Sequence, residues 1–212
     1  MSKIVIASGN AGKIAEIKHA LETSSPQSDF ELVSQKEFGF PEAIEDGLSF
    51  VENAIIKARH AAQHTQLPAL ADDSGIVVDF LKGAPGIYSA RFAGADATDA
   101  DNVEKLLHEL KDISNQQRCA YFYCALAFVR HAEDPTPLIA EGIWHGTIAT
   151  SPSGDQGFGY DPIFYLADQQ CSAAELTKSE KTKISHRGQA LKKFATLFSQ
   201  SLANKIDPAV KQ

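Results

Sequence analysis

The sequence predicts an α/β protein in which helices cover a mixed β-sheet. Short apolar runs of strand length recur between amphipathic stretches of helix length. Their order interleaves without strict alternation, which suits a mixed sheet better than a purely parallel one. No repeat, low-complexity tract or linker divides the 212 residues, so residues 1–212 read as one domain.

The elements follow in order along the chain. Ile4-Val5-Ile6-Ala7 is a short buried strand, and the turn Ser8-Gly9-Asn10-Ala11-Gly12 leads into a helix with Ile14, Ile17 and Leu21 on one face. A second strand falls near Phe30 to Val33. Asp46 or Ser49 caps a helix that turns Leu48, Val51, Ala54, Ile55 and Ala58 inward. Ser49, Asn53 and Lys57, spaced by four, align on its other side. Pro68 to Phe80 reads as a strand interrupted by Asp72-Asp73-Ser74-Gly75 and resumed at Ile76-Val77-Val78. Lys82 to Gly94 is a Gly/Pro-rich loop, and Val103, Leu106, Leu107 and Leu110 mark an amphipathic helix. The apolar run from Ala120 to Arg130 predicts a strand buried on both faces. After Pro135 and Pro137 comes a strand over Leu138 to Thr147, then a glycine-bearing loop from Ser151 to Asp161. The last helix starts near Ser185 and turns Leu191, Phe194 and Phe198 inward.

Composition removes several function classes. Twenty Lys and Arg against 27 Asp and Glu give a formal charge of −7, and no basic run occurs, so no nucleic-acid partner is expected. The three cysteines, Cys119, Cys124 and Cys171, form no C-x-x-C and no even-numbered disulfide framework. The four apolar residues near the N-terminus are too few for a signal-peptide core, and no stretch approaches a membrane span. A cytoplasmic protein with no membrane partner is the expectation.

Four segments carry polar chemistry. In Ser8-Gly9-Asn10-Ala11-Gly12-Lys13 a glycine turn opens a helix, exposing backbone N–H groups at its positive end beside a lysine, which suits a polyphosphate. It is not a Walker A loop, because only two residues separate the glycines and Ile14 follows the lysine. Asp72-Asp73-Ser74-Gly75 sets two carboxylates on opposite sides of a strand beside apolar residues, where a charge needs a metal or a cation. Mg²⁺ takes one or two carboxylates together with phosphates and water, and Glu45 and Asp46 are candidates for a second ligand. The loop Gly157-Phe158-Gly159-Tyr160-Asp161 offers aromatic rings for stacking on a base. In Ser185-His186-Arg187 a cap is followed by cations in the first turn, against the helix dipole, with Lys181 shortly before. Taken singly, these segments also read as an ordinary turn, a capping turn, a surface loop and a helix start. His60 and His64 lack the intervening glutamate of a zinc protease, and Ser74 lies in no G-x-S-x-G elbow.

Together, SGNAGK (Ser8–Lys13), EDGLSFVENAIIKARHAA (Glu45–Ala62), ADDSGIVVD (Ala71–Asp79), GAPGIYSARFAG (Gly83–Gly94), GFGYDPIF (Gly157–Phe164) and ISHRGQAL (Ile184–Leu191) resemble the inosine triphosphate pyrophosphatase family in its bacterial dITP/XTP branch. Ser8 stands where that family often has Thr, which keeps the hydroxyl. The resemblance implies an elongated mixed sheet in two lobes, a cleft between them, and a homodimer. It implies hydrolysis of non-standard purine nucleoside triphosphates (ITP, dITP, XTP) to monophosphate and pyrophosphate, cleansing the nucleotide pool, with Mg²⁺ as cofactor. By motif, Ser8, Gly9, Asn10, Ala11, Gly12 and Lys13 bind the triphosphate. Asp73 is proton acceptor and metal ligand, and Glu45 is the second ligand. Ser74, Phe158, Gly159, Tyr160, Asp161, Lys181, His186 and Arg187 bind the rest of the substrate. Asn53 and Lys57 face the cleft. Lys181 and Arg187 only donate hydrogen bonds, so they favour a 6-oxo purine over adenine. The alternatives are a pyrophosphatase of other modified nucleotides and a non-catalytic nucleotide-binding module.

Overall fold

The computed structural model describes residues 2–24 and 30–206. One seven-stranded mixed sheet organises them: β1 (Ser2–Ala7), β2 (Phe30–Ser34), β3 (Ala69–Val78), β4 (Cys119–Val129), β5 (Leu138–Ile148), β6 (Phe164–Leu166) and β7 (Cys171–Ser172), in the order β2-β1-β3-β4-β5-β6-β7. β1 is parallel to both β2 and β3, and every later pairing is antiparallel. The helices are α1 (Ala11–Ser24), α2 (Phe50–Thr65), α3 (Asp99–Glu109), α4 (Lys178–Ile184) and α5 (His186–Ile206).

The strand period sorts side chains to two faces. On one face Ile4, Ile6, Leu70, Leu126 and Phe128 pack with Ile17 and Leu21 of α1 and Leu191 and Phe194 of α5. On the other, Ala69, Ala71, Ala125 and Ala127 meet Ala54, Ala58, Ala61 and Ala62 of α2. Methyl groups on both sides let α2 approach the sheet closely, which brings its Lys57 to β3. A third cluster joins Val103 and Leu106 of α3 to Ile76, Phe122, Trp144, Ile163 and Phe164. Fully buried side chains such as Ile6, Leu70 and Leu126 each stabilise the fold by roughly 1.5–3 kcal/mol.

Several sequence expectations change. β3 is one continuous strand, because Asp72 through Gly75 pair in register with Leu126 through Tyr123 of β4. Leu48 is 87% exposed rather than inward, since α2 begins at Phe50 with Ser49 as its cap, accepting from the Glu52 amide. Gly12 and Lys13 lie inside α1 rather than before it. β4 is buried on both faces only in its second half. The Lys82–Gly94 loop contains a 3-10 helix, Gly86–Arg91. Strands β6 and β7 and helix α4 were too short for a periodic signal.

Candidate active site

The turn after β1 leads directly into α1. Asn10 Oδ1 accepts from the Lys13 amide at 3.0 Å, and the Asn10 amide donates to Ser8 Oγ at 3.2 Å. The first helical amides, Ala11 and Gly12, lack acceptors within the helix and are available to an anion. At Gly12 a Cβ would lie 3.0 Å from the Phe158 ring, so a larger residue there needs that ring to shift.

On β3 the two carboxylates separate to opposite faces, as the strand period predicts. Asp72, fully buried, meets Lys13 Nζ at 2.9 Å and Arg187 Nε at 2.9 Å. Burial opposes its charge, but Arg187 and Lys13 prevail and hold the carboxyl well below the usual carboxylate range. It also keeps the neighbouring Cys124, 3.0 Å away, as a thiol, because burial and this charge both push the thiol up. Asp73 Oδ1 accepts from Lys57 Nζ at 2.7 Å, and the same ammonium lies 3.3 Å from Glu45. Burial raises the Asp73 carboxyl above its ordinary range, against the pull of Lys57 and Lys13. Burial opposes the Lys57 charge, yet Asp73 and Glu45 raise its affinity for the proton. Asp73 Oδ2 is buried with no hydrogen-bond partner among the described residues.

Asp73, Lys57 and Glu45 line a cavity of about 350 Å³ together with Ser8, Gly9, Asn10, Lys13, Gln35, Glu42, Ser74, Ala90 and Arg91. A second, of about 90 Å³, shares Asn10, Lys13, Ser74 and Ala90 with it and adds Asp99, Phe122, Phe158 to Asp161, Lys181, His186 and Arg187. Lys181 Nζ lies 2.6 Å from Asp161 and 4.9 Å from the centre of the Phe158 ring. Burial raises the Asp161 carboxyl, opposed by Lys181. Ser185 caps α5 by accepting from the Gly188 amide at 3.2 Å. His186 stacks on Phe122 with ring centres 4.8 Å apart. Burial, reinforced by Arg187, Lys181 and Lys13, holds its imidazole neutral.

Of the catalytic, metal and substrate residues assigned by motif, all but Ala11 and Gly12 line one or both of two joined cavities, with three further changes of detail. Arg187 is committed: its Nε donates to Asp72, its Nη2 to Ser74 and Asp72, and its Nη1 to Glu16. Asn53 does not face the cleft; it is buried and accepts the Gly47 amide at 2.9 Å, fixing the segment that carries Glu45. Tyr160 is largely core, its hydroxyl donating to the Ser89 carbonyl at 2.8 Å. Asp46 lines neither cavity, whereas Glu45 does. The residues missed by sequence reasoning are Glu16, Glu42, Arg91 and Asp99. Asp99 accepts the Gly159 amide at 2.7 Å. Glu16 alone had a usable signal, one helical turn beyond Gly12 on α1. His60 and His64 pack with Phe40, and His60 Nε2 bonds the Pro41 carbonyl at 2.7 Å, a structural role.

Among the described residues no three His, Cys, Asp or Glu cluster to hold a metal alone. Glu45 and Asp73 nevertheless fit a hard cation whose other ligands are phosphate and water. The partnerless Asp73 Oδ2 is the observation that supports the fit.

The Ham1 family model matches residues 4–197. The chain is 56% identical over 194 residues to a dITP/XTP pyrophosphatase of Escherichia coli (strain K12), covering 91% of this chain and 95% of that one. It is 55% identical over 191 residues to a dITP/XTP pyrophosphatase of Idiomarina loihiensis, covering 90% and 95%. The fold is similar to a solved HAM1 protein from Coxiella burnetii, with TM-score 0.87, 48% identity and coverage of 94% and 100%. A solved nucleoside-triphosphatase / dITP/XTP pyrophosphatase from Mycobacterium abscessus gives TM-score 0.73, 46% identity and coverage of 91% and 97%.

Proposed function

The chain belongs to the Ham1 family, and from that premise we propose how its joined cavities work. The protein is a nucleoside triphosphate pyrophosphatase that hydrolyses non-standard purine nucleoside triphosphates to the monophosphate and pyrophosphate. The observation that carries the mechanism is the buried Oδ2 of Asp73, without a partner among the described residues, on a residue that lines the larger cavity with Glu45 and Lys57.

The triphosphate lies along Ser8 to Lys13, where helix amides and the Lys13 ammonium meet its oxygens. Phe158 to Asp161 hold the purine in the smaller cavity with Lys181, His186 and Arg187, and Ser74 lies at the junction. Glu45 and Asp73 would hold Mg²⁺, which when bound neutralises phosphate oxygens and so favours attack at phosphorus. Lys57 fixes Asp73 through Oδ1, leaving Oδ2 to accept a proton from water. The water oxygen bonds to the α-phosphorus, the α–β anhydride bond breaks, and pyrophosphate leaves. Lys181 presents only donors to the base, and the Asp161 acceptor beside it is occupied by Lys181 and the Phe158 amide. A 6-oxo purine is therefore accepted and the 6-amino group of adenine finds no partner.

Digestion of ITP should yield IMP with no transient IDP on chromatography, and accumulating IDP would refute the assigned bond. The kcat/KM for ITP over ATP should be on the order of 10⁴. In this reading the chain is one domain of two lobes around this cleft, and the family resemblance supports a cytoplasmic homodimer. Light scattering on the purified chain checks the dimer. No helix among the described residues is long and apolar enough to cross a membrane.

A further inference from the structure

Three cations line the larger cavity, and two of them are already paired. Lys13 meets Asp72 and Lys57 meets Asp73 and Glu45. The third, Arg91, closes the 3-10 helix Gly86–Arg91 at the cavity rim. Among the described residues its guanidinium has no carboxylate or carbonyl partner. It lies over the exposed ring of Tyr88, 5.1 Å from Cζ to the ring centre. Such a contact at an exposed site is weak enough to be exchanged for a phosphate.

Charge makes that exchange consequential. The lining carries Lys13, Lys57 and Arg91 against Glu42, Glu45 and Asp73, so the formal charges cancel. A triphosphate entering this lining needs a cation that no carboxylate has already claimed. Position says which phosphates it meets. Asn10, Lys13, Ser74 and Ala90 line both cavities and mark the junction, whereas Arg91 lines only the larger one, away from the base.

We propose that Arg91 leaves Tyr88 to bind the β- and γ-phosphates, making it the residue that selects a triphosphate and grips the departing pyrophosphate. The proposal rests on the pyrophosphatase reading, so the test separates the two. Inorganic pyrophosphate with Mg²⁺ is titrated calorimetrically into wild type, Arg91→Ala and Arg91→Lys, and kcat/KM is measured for ITP and IDP. Arg91→Ala should weaken pyrophosphate binding about 10- to 100-fold and lower kcat/KM for ITP similarly. Its value for IDP should change far less, so the preference for triphosphate collapses. Arg91→Lys should recover part of both losses, and the melting temperature should stay within a few degrees. Equal pyrophosphate binding by wild type and Arg91→Ala, or an unchanged ITP to IDP ratio, overturns the assignment. A wild type that fails to turn over ITP overturns the pyrophosphatase reading instead.

Discussion

Asp72 and Asp73 are chemically identical neighbours whose surroundings give them opposite tasks. Asp72 is neutralised by Arg187 and Lys13 and serves as the anchor between α1, β3 and α5. Asp73 keeps one buried oxygen without a partner among the described residues. Asp73→Asn should therefore lower kcat by about 10²- to 10⁴-fold while its melting temperature in EDTA stays within a few degrees of wild type. Arg187→Ala should do the reverse in one respect: it leaves the buried Asp72 with Lys13 as its one remaining cation, costing up to about 3–5 kcal/mol in urea denaturation. Retained stability in that variant would mean that Lys13 alone suffices to compensate Asp72. Adjacency in a strand made the division of the two aspartates legible in the sequence. The partners were not legible, because Glu16 and Arg187 are brought together only by the packing of α1 against α5. The same holds for Asp99, which reaches Gly159 across 60 positions.

Among the elements, those with a long periodic signal were readable: α1, α2, α3 and α5, and the strands β1, β4 and β5. The break expected in β3 shows what periodicity cannot supply, since two aspartates look like a turn until β4 and the bridging cations are in place. Close backbone packing was equally hidden. A Cβ on Gly142 of β5 would overlap the His186 carbonyl oxygen and come within 2.8 Å of the Ala190 nitrogen. Gly142→Ala should push α5 off the sheet, costing about 1–3 kcal/mol or more, and displace His186 and Arg187 with it. A loss of ITP turnover alongside a lowered denaturation midpoint checks this, and a variant that matches wild type in both refutes it.

For the molecule as a whole, the buried His186 couples stability to pH. Its folded affinity for the proton lies well below the usual value of 6.5, so below that pH the unfolded chain takes a proton that the folded one refuses. The stability this ring permits is complete above 6.5 and declines as pH falls, by about 1.4 kcal/mol per unit. Denaturation of wild type and His186→Phe between pH 7 and 5.5 isolates that slope, which the variant should lack; equal slopes would show that the folded ring does take the proton. Beside this histidine lies Trp144, the one tryptophan of the chain, with ring centres 6.3 Å apart and Phe164 at 5.2 Å. The one tryptophan thus stands one ring away from the smaller cavity. Its emission is a built-in optical gauge: a red shift on acidification reports the undocking of α5 from β5 that must come before the imidazole gains its proton.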